Sequence, residues 1–309
     1  MESTFFQSEA NLNELLQKIE RVFNLKSILS EEISKTKIQK YYRDSNLGYN
    51  LVHSKEGSVH MAINYDGVFS PDGYYQQVRE IAEHLQEKRS DVLELGCGKG
   101  FNSAYLSKEF PLSHFSGIDI TERHLDYAKK KAEHVQNLSF KTGDFHQLEH
   151  PNASFDVVFE LEAVCHSDQP QTVLSEVYRV LKPGGKFILY EGFRTANFDQ
   201  CSDIQKEAAV LIEKTMAVNH GHNIEIWLDM ARKIGFEIQQ NNDISEAILP
   251  NLKRFHRLAL KYFKYRFLAK LALVFFSKNL IKNTIAGSLM PFSIVQKIQS
   301  YNRIVLVKK

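Results

Sequence analysis

The stretch Asp91–Gly100, DVLELGCGKG, constrains the fold more than any other part of this chain. An apolar run, Asp91–Leu95, delivers the backbone into three glycines at alternate positions, Gly96, Gly98 and Gly100. Glycines there permit a tight turn and let the main chain approach a ligand closely. A helical pattern, Asn102–Phe110, follows, so the segment reads as the opening of a βαβ unit. The alternation continues downstream. Strands are expected at Phe115–Ile120, Leu138–Thr142, Phe155–Glu160 and Lys186–Glu191, with helices at Glu122–Val135 and Gln171–Leu181 between them. Residues 203–234 read as helical, and Phe236–Gln240 and Arg303–Lys308 as two last strands. The pattern predicts an α/β fold: a doubly wound, Rossmann-like sheet of seven strands with helices on both faces.

The turn also limits the ligand. A dinucleotide fingerprint, GxGxxG, needs glycine at position 101, where this chain has Phe101. The motif is GxGxG instead, preceded by an acid, Glu94. Asp119 ends the second strand 19 residues after Gly100, where a carboxylate can accept hydrogen bonds from both ribose hydroxyls. With an acid at the turn and no phosphate cradle, a cationic nucleoside fits better than a dinucleotide.

These residues carry a family resemblance. DVLELGCGKG, the strand end GIDI with Asp119, Gly143-Asp144-Phe145 and LKPGG at Leu181–Gly185 resemble class I S-adenosylmethionine-dependent methyltransferases over roughly residues 80–195. The resemblance implies that Glu94, Gly96 and Gly98 line the methionine part of that cofactor and that Asp119 and Ile120 hold the ribose. It also implies that Asp144 and Phe145 bracket the adenine. Cys97, inside the turn, is a small packing residue of that wall, and Glu160 closes it from the fourth strand. LEAVCHSDQPQTVLSEVYRVLKPGG, starting at Leu161, is similar to the subgroup of sterol C24-methyltransferases and isoprenoid or tocopherol methyltransferases. Tyr41-Tyr42 and Ser58-Val59-His60 resemble upstream motifs of the sterol enzymes. Their Trp-rich motif has no counterpart, since Trp227 is the single Trp.

Ligands of open α/β sheets sit beyond the carboxyl ends of the strands. Glu160, Glu162, Cys165 and His166 are therefore expected near the reacting atoms. Glu162, His166 and His60 are candidate bases, and Tyr42 with Tyr41, Tyr49 and Tyr74 supplies aromatic faces for a positive charge. The acceptor implied is a hydrophobic small molecule, sterol-like or isoprenoid, methylated at carbon. The alternatives are a polar or phosphorylated acceptor, or a cofactor-binding membrane-surface protein without turnover.

The ends of the chain are different in character. Residues 1–80 are expected to form a helical cap and lid, with two helices in residues 1–40 and a glycine-punctuated loop at 43–73. A helix is expected from Tyr74 to about Lys88. The core is expected over 81–246, a basic helical insertion over 247–300 and a last strand over 301–309. The first twenty residues lack a basic segment followed by an apolar one, and three Cys cannot build a disulfide framework or a CxxC metal site. A cytoplasmic protein without a bound metal is expected.

A net charge of +2 conceals a split, because Glu246 is the last acid. Residues 247–309 carry 13 Lys and Arg, and residues 1–246 are net −11. Lys253, Arg257, Lys261 and Lys264 fall on one helical stripe, with Phe255, Leu258, Ala259 and Tyr262 on another side. Residues 251–276 are therefore expected to form a basic amphipathic helix that contacts an anionic membrane surface. A solvated basic face over a core-packed helix is the competing expectation. Nucleic acid is disfavoured, since no RNA-binding module accompanies the stripe.

Overall fold

The computed structural model describes residues 2–54, 56–85 and 89–309. Its centre is a seven-stranded sheet of β1 (Asp91–Leu95), β2 (His114–Asp119), β3 (Leu138–Thr142), β4 (Phe155–Leu161), β5 (Leu181–Arg194), β6 (Phe236–Asp243) and β7 (Gln299–Lys308). The spatial order is β3-β2-β1-β4-β5-β7-β6. β1 pairs in parallel with β2 and β4, whereas β7 runs antiparallel between β5 and β6. The order reverses at β1, so the crevice above its carboxyl end is where a ligand is placed by topology.

Strand alternation explains why both faces are covered. Along β1, Val92 enters one apolar cluster with Phe115, Phe159, Ile188 and Tyr190. Leu93 and Leu95 enter the opposite cluster with Ile118, Val158, Phe187 and Trp227. Successive side chains of a strand point to opposite faces, so each face needs its own helical layer.

The amino-terminal cap departs from expectation. Residues 1–40 hold α1 (Glu2–Gln7), α2 (Glu9–Glu20) and α3 (Leu25–Leu29), and α4 runs over Lys35–Val52. Ser8, Asn24 and Ser34 cap three of these helices with their side chains. The loop expected from residue 43 is thus helical for ten more residues, through Gly48. Glycine serves close packing there: an added Cβ would lie 2.4 Å from Leu280 Cδ1. Pro71–Tyr75 is a 3₁₀ turn that leads into α5 (Gln76–Ala82). The helix expected to reach Lys88 stops at Ala82, and residues 86–88 lie outside the described residues.

Helices α6 (Phe101–Glu109), α7 (Glu122–Ala132) and α8 (Pro170–Val180) cover the sheet. The helical stretch expected over 203–234 is two helices, α9 (Asp203–Thr215) and α10 (Ile224–Ile234). Ala217 takes a left-handed φ of 60° in the break, and Asn223 caps the second helix. Between β6 and β7 lie α11 (Ser245–Phe263), α12 (Arg266–Phe275) and α13 (Lys278–Val295). α13 packs with α1, α2 and α9 through Ile285, Leu289 and Phe292, which joins the insertion to the cap. Among the described residues, no helix is long and apolar enough to cross a membrane.

Candidate active site

The glycine turn follows β1 with left-handed φ values of 62°, 50° and 70° at Gly96, Gly98 and Gly100. An added Cβ at Gly96 would lie 2.5 Å from that of Ala163, and one at Gly100 2.6 Å from Phe140. Glu94, almost fully buried, holds the turn to α6. Its Oε1 accepts from Asn102 Nδ2 at 2.8 Å, and its Oε2 from the Ser103 amide and hydroxyl. Burial pushes this carboxyl up to about 7. Both oxygens are thus engaged with α6, which makes Glu94 a strap between the turn and that helix.

Asp119 faces the turn from the end of β2. Its two oxygens accept the amides of Gly98 and Thr121 at 2.8 and 2.7 Å. A carboxylate has about four acceptor positions, so lone pairs remain for two hydroxyls. Ile120 offers its carbonyl to Gln39 Nε2 on α4. Asp144 accepts from Lys35 Nζ at 2.7 Å and from His146. Burial works upward on its carboxyl, but Lys35 and His146 outweigh it and hold it at about 2. Phe145 is half-buried against the core beside His146. Cys97 is buried in the turn, and its amide bonds Ile118.

Glu160 tests whether this crevice fits an amino-acid-bearing nucleoside. It is the register partner of Leu95 and fully buried. Its Oε2 accepts the amides of Ala163 and Val164, whereas its buried Oε1 has no partner in the protein. An ammonium group is the donor that satisfies such an oxygen. The orphan acceptor, the turn and Asp119 together fit S-adenosylmethionine.

Next to the crevice is a cavity of about 420 Å³, within the range of small-molecule sites, roughly 300–1,000 Å³. α4 supplies its aromatic wall: Tyr41, Tyr42, Tyr49 and, past the helix end, His53. Tyr41 and Tyr49 share a hydroxyl bond of 2.9 Å, and the Tyr42 ring stacks 6.2 Å from that of Tyr49. Met216, Leu252, Phe255 and Ile281 add an apolar lining. Glu162, Cys165, His166 and Glu191 line the cavity too.

Glu162 sits just past β4 at a left-handed φ of 56°, a strained conformation for a side chain of its size. Its Oε1 accepts the Met61 amide at 2.6 Å and the Tyr301 hydroxyl at 2.8 Å. Burial pushes its carboxyl up to about 8, while Met61 and Tyr301 pull it down. Glu191 accepts the amides of Cys165 and Gly192, and burial lifts it to about 7. His166 Nδ1 donates to the Ala217 carbonyl at 2.9 Å, so Nε2 accepts the Tyr42 hydroxyl at 2.7 Å. The break between α9 and α10 therefore fixes this imidazole's tautomer. Burial keeps it neutral by lowering its pKa.

The structure brings Tyr42, Glu162 and His166 together, but it puts His60 elsewhere. His60 is 2% exposed, does not line the cavity, and meets Met61 O and Asn102 Oδ1. Its place is behind the turn, where burial drives its pKa to about 4. Tyr74 is likewise packed in the core. Tyr301 and Glu191 were not singled out by sequence. Glu191 ends a strand that the pattern shows, whereas Tyr301 precedes the strand expected from Arg303 and carried no local signal.

Comparison with known proteins gives consistent relatives. The family model described as "Methyltransferase domain" matches residues 93–189. The S-adenosyl-L-methionine-dependent Diels-Alderase iccD of Talaromyces variabilis is 29% identical over 251 residues, 75% of this chain and 83% of that protein. The sterol 24-C-methyltransferase erg-4 of Neurospora crassa is 30% identical over 187 residues, 58% of this chain. The chain spans about half, 49%, of that enzyme's length. The crystal structure of the [4+2]-cyclase SpnF superposes with a TM-score of 0.72 at 18% identity, covering 90% of this chain and 97% of that one.

Proposed function

We propose, from the premise that this chain belongs to the class I S-adenosylmethionine-dependent methyltransferases, that it methylates a hydrophobic small molecule of sterol-like or isoprenoid type. S-adenosylmethionine is its cofactor and supplies an electrophilic methyl group. The observation that carries the acceptor class is the cavity lining. Among the described residues it contains three glutamates, Glu162, Glu191 and Glu213, and no Lys or Arg. With no cation there to pair it, a phosphorylated or other anionic acceptor would be desolvated without compensation, which argues against an anion site among the basic residues of the chain.

The chain's own residues have separable tasks in this reading. Gly96, Gly98, Asp119, Ile120, Asp144, Phe145 and Glu160 hold the cofactor. The apolar wall excludes water and orders the acceptor. The faces of Tyr41, Tyr42 and Tyr49 stabilise positive charge that develops on an acceptor carbon. Glu162, with Oε1 held by two donors, takes the proton released from that carbon through Oε2. His166 acts through Tyr42 by fixing where that ring stands. The protein works from the cytoplasm at an anionic membrane surface, reached through residues 251–276.

The experiment is incubation with methyl-labelled cofactor and a lipid extract, followed by phase separation. Label in an organic-phase product supports the reading, and label confined to water-soluble products refutes the acceptor class. A second reading is favoured by the Diels-Alderase relative, which matches over more of its length than the sterol enzyme does. There the same cavity folds a polyene for [4+2] cyclisation while the cofactor stays intact. Cyclised product without transferred label identifies that activity, and cofactor binding without any product identifies a non-catalytic role.

A further inference from the structure

Large exposed apolar side chains are not scattered over this protein. Of thirteen among the described residues, seven fall between Leu258 and Phe276. Phe267, Leu271 and Phe275 are spaced by four along α12 and are 76%, 41% and 74% exposed. Residues four apart lie on one helix face, so the three form a single outward stripe. Ala269, on the other side, is buried. Tyr265 and Phe276, just outside the helix at its two ends, are exposed as well, at 57% and 49%.

Charge identifies the occupant. Lys261, Lys264, Lys270 and Lys278 are exposed around this stripe, and no acid follows Glu246. An aromatic stripe rimmed by lysines suits the boundary of an anionic bilayer, where rings enter the acyl region and ammonium groups stay with the headgroups. Ten residues of helix, about 15 Å, lie on such a surface and do not cross it.

The helices that flank α12 in the chain line the cavity. Leu258 on α11 lines the cavity and is 40% exposed, so the cavity reaches the surface beside it. Leu280, two residues into α13, lines it too. α12 connects these two cavity-lining helices in the chain and packs against both.

We propose that α12 is the membrane-docking element, that its outward stripe inserts into the interface of an anionic bilayer, and that the acceptor passes from the bilayer into the cavity beside Leu258. This rests on the hydrophobic-acceptor reading and moves the contact from the α11 stripe to α12. α11 instead buries Leu252, Phe255, His256 and Ala259 in the protein.

The test is co-sedimentation of the full chain with vesicles of phosphatidylcholine and phosphatidylserine, without acceptor or turnover. Binding that falls with salt is expected, with far weaker binding to phosphatidylcholine alone. The triple variant Phe267→Ser/Leu271→Ser/Phe275→Ser should lower partitioning by about a hundredfold or more. Its cofactor affinity and melting temperature should be unchanged, since the three side chains face outward. Wild-type binding by the triple variant, equal binding to neutral vesicles, or vesicle-independent dimerisation through the stripe would each overturn the proposal. A chain that binds vesicles but never methylates fails the activity reading alone. One that methylates a dissolved acceptor but ignores vesicles fails this inference alone.

Discussion

The Tyr301 hydroxyl donates to Glu162 Oε1 at 2.8 Å across 139 residues of chain, from the last strand to the end of β4. Because the Met61 amide donates to the same oxygen, the other oxygen of Glu162 is left for the cavity. The bond favours the carboxylate, so its loss raises the pKa of Glu162 above about 8. Tyr301→Phe should shift the alkaline-rising limb of the pH–turnover profile upward by about one unit, for a hydrogen bond to a charged group worth roughly 1.5–3 kcal/mol. Turnover near neutrality should fall about tenfold and recover at high pH. A profile that drops without moving would mean that Tyr301 only supports packing.

Asp119 is held by two backbone amides and still has lone pairs for the ribose. Asp119→Ala should weaken cofactor binding at least about tenfold by calorimetry, because charge-assisted hydrogen bonds are the strong ones. The Gly98 and Thr121 amides also lose their acceptor, so some loss of melting temperature is expected too. Unchanged affinity would remove Asp119 from the ribose role.

The buried carboxyls give the cofactor-free protein an unusual pH dependence. Glu94 and Glu191 have folded pKa values of about 7, far above the unfolded carboxylate range near 4.5. The folded state then binds more protons than the unfolded state, so stability falls as pH rises toward their folded values. His53 and His60 act oppositely, since burial lowers them to about 3 and about 4, but only below the unfolded value of 6.5. Between pH 6.5 and 8 the carboxyls act without that opposition. Melting temperature should decline across this window by a few degrees, at roughly 2–4 °C per kcal/mol. A flat or rising curve would show that both groups are ionised in the fold.

The sheet was legible because its signals are local. The strand periods and the glycine turn predict β1–β4 to within about a residue, and the βα alternation orders their helices. α4 was not, because the glycine that reads as a helix stop is there for Leu280, a residue of the distant insertion. The site divides along the same line. Glu162 and His166 follow from their place after β4, whereas Tyr301 enters through the β5–β7 pairing, which no local pattern specifies. The tripeptide motif around His60 does not show that its ring turns toward Asn102 and away from the cavity lining. Helical spacing revealed two faces on 251–276, but only packing decides that α11 turns inward and α12 presents its face to solvent.

His166 and Tyr42 form one unit, and Glu162 stands outside it. The Ala217 carbonyl occupies Nδ1 of His166 and the Tyr42 hydroxyl occupies Nε2, so the imidazole has no free lone pair for an acceptor proton. Tyr42→Phe and His166→Ala should therefore have similar effects, and the double variant should be little worse than either. Their main consequence is a misplaced ring, read as a raised KM with a smaller loss of kcat. Glu162→Gln removes the proposed base while keeping hydrogen-bonding atoms near Met61 and Tyr301. It should lower kcat by about 10²–10⁴ with cofactor affinity near wild type. If His166→Ala instead matched Glu162→Gln in kcat, and Tyr42→Phe were silent, the imidazole would be the base and Glu162 a structural acid.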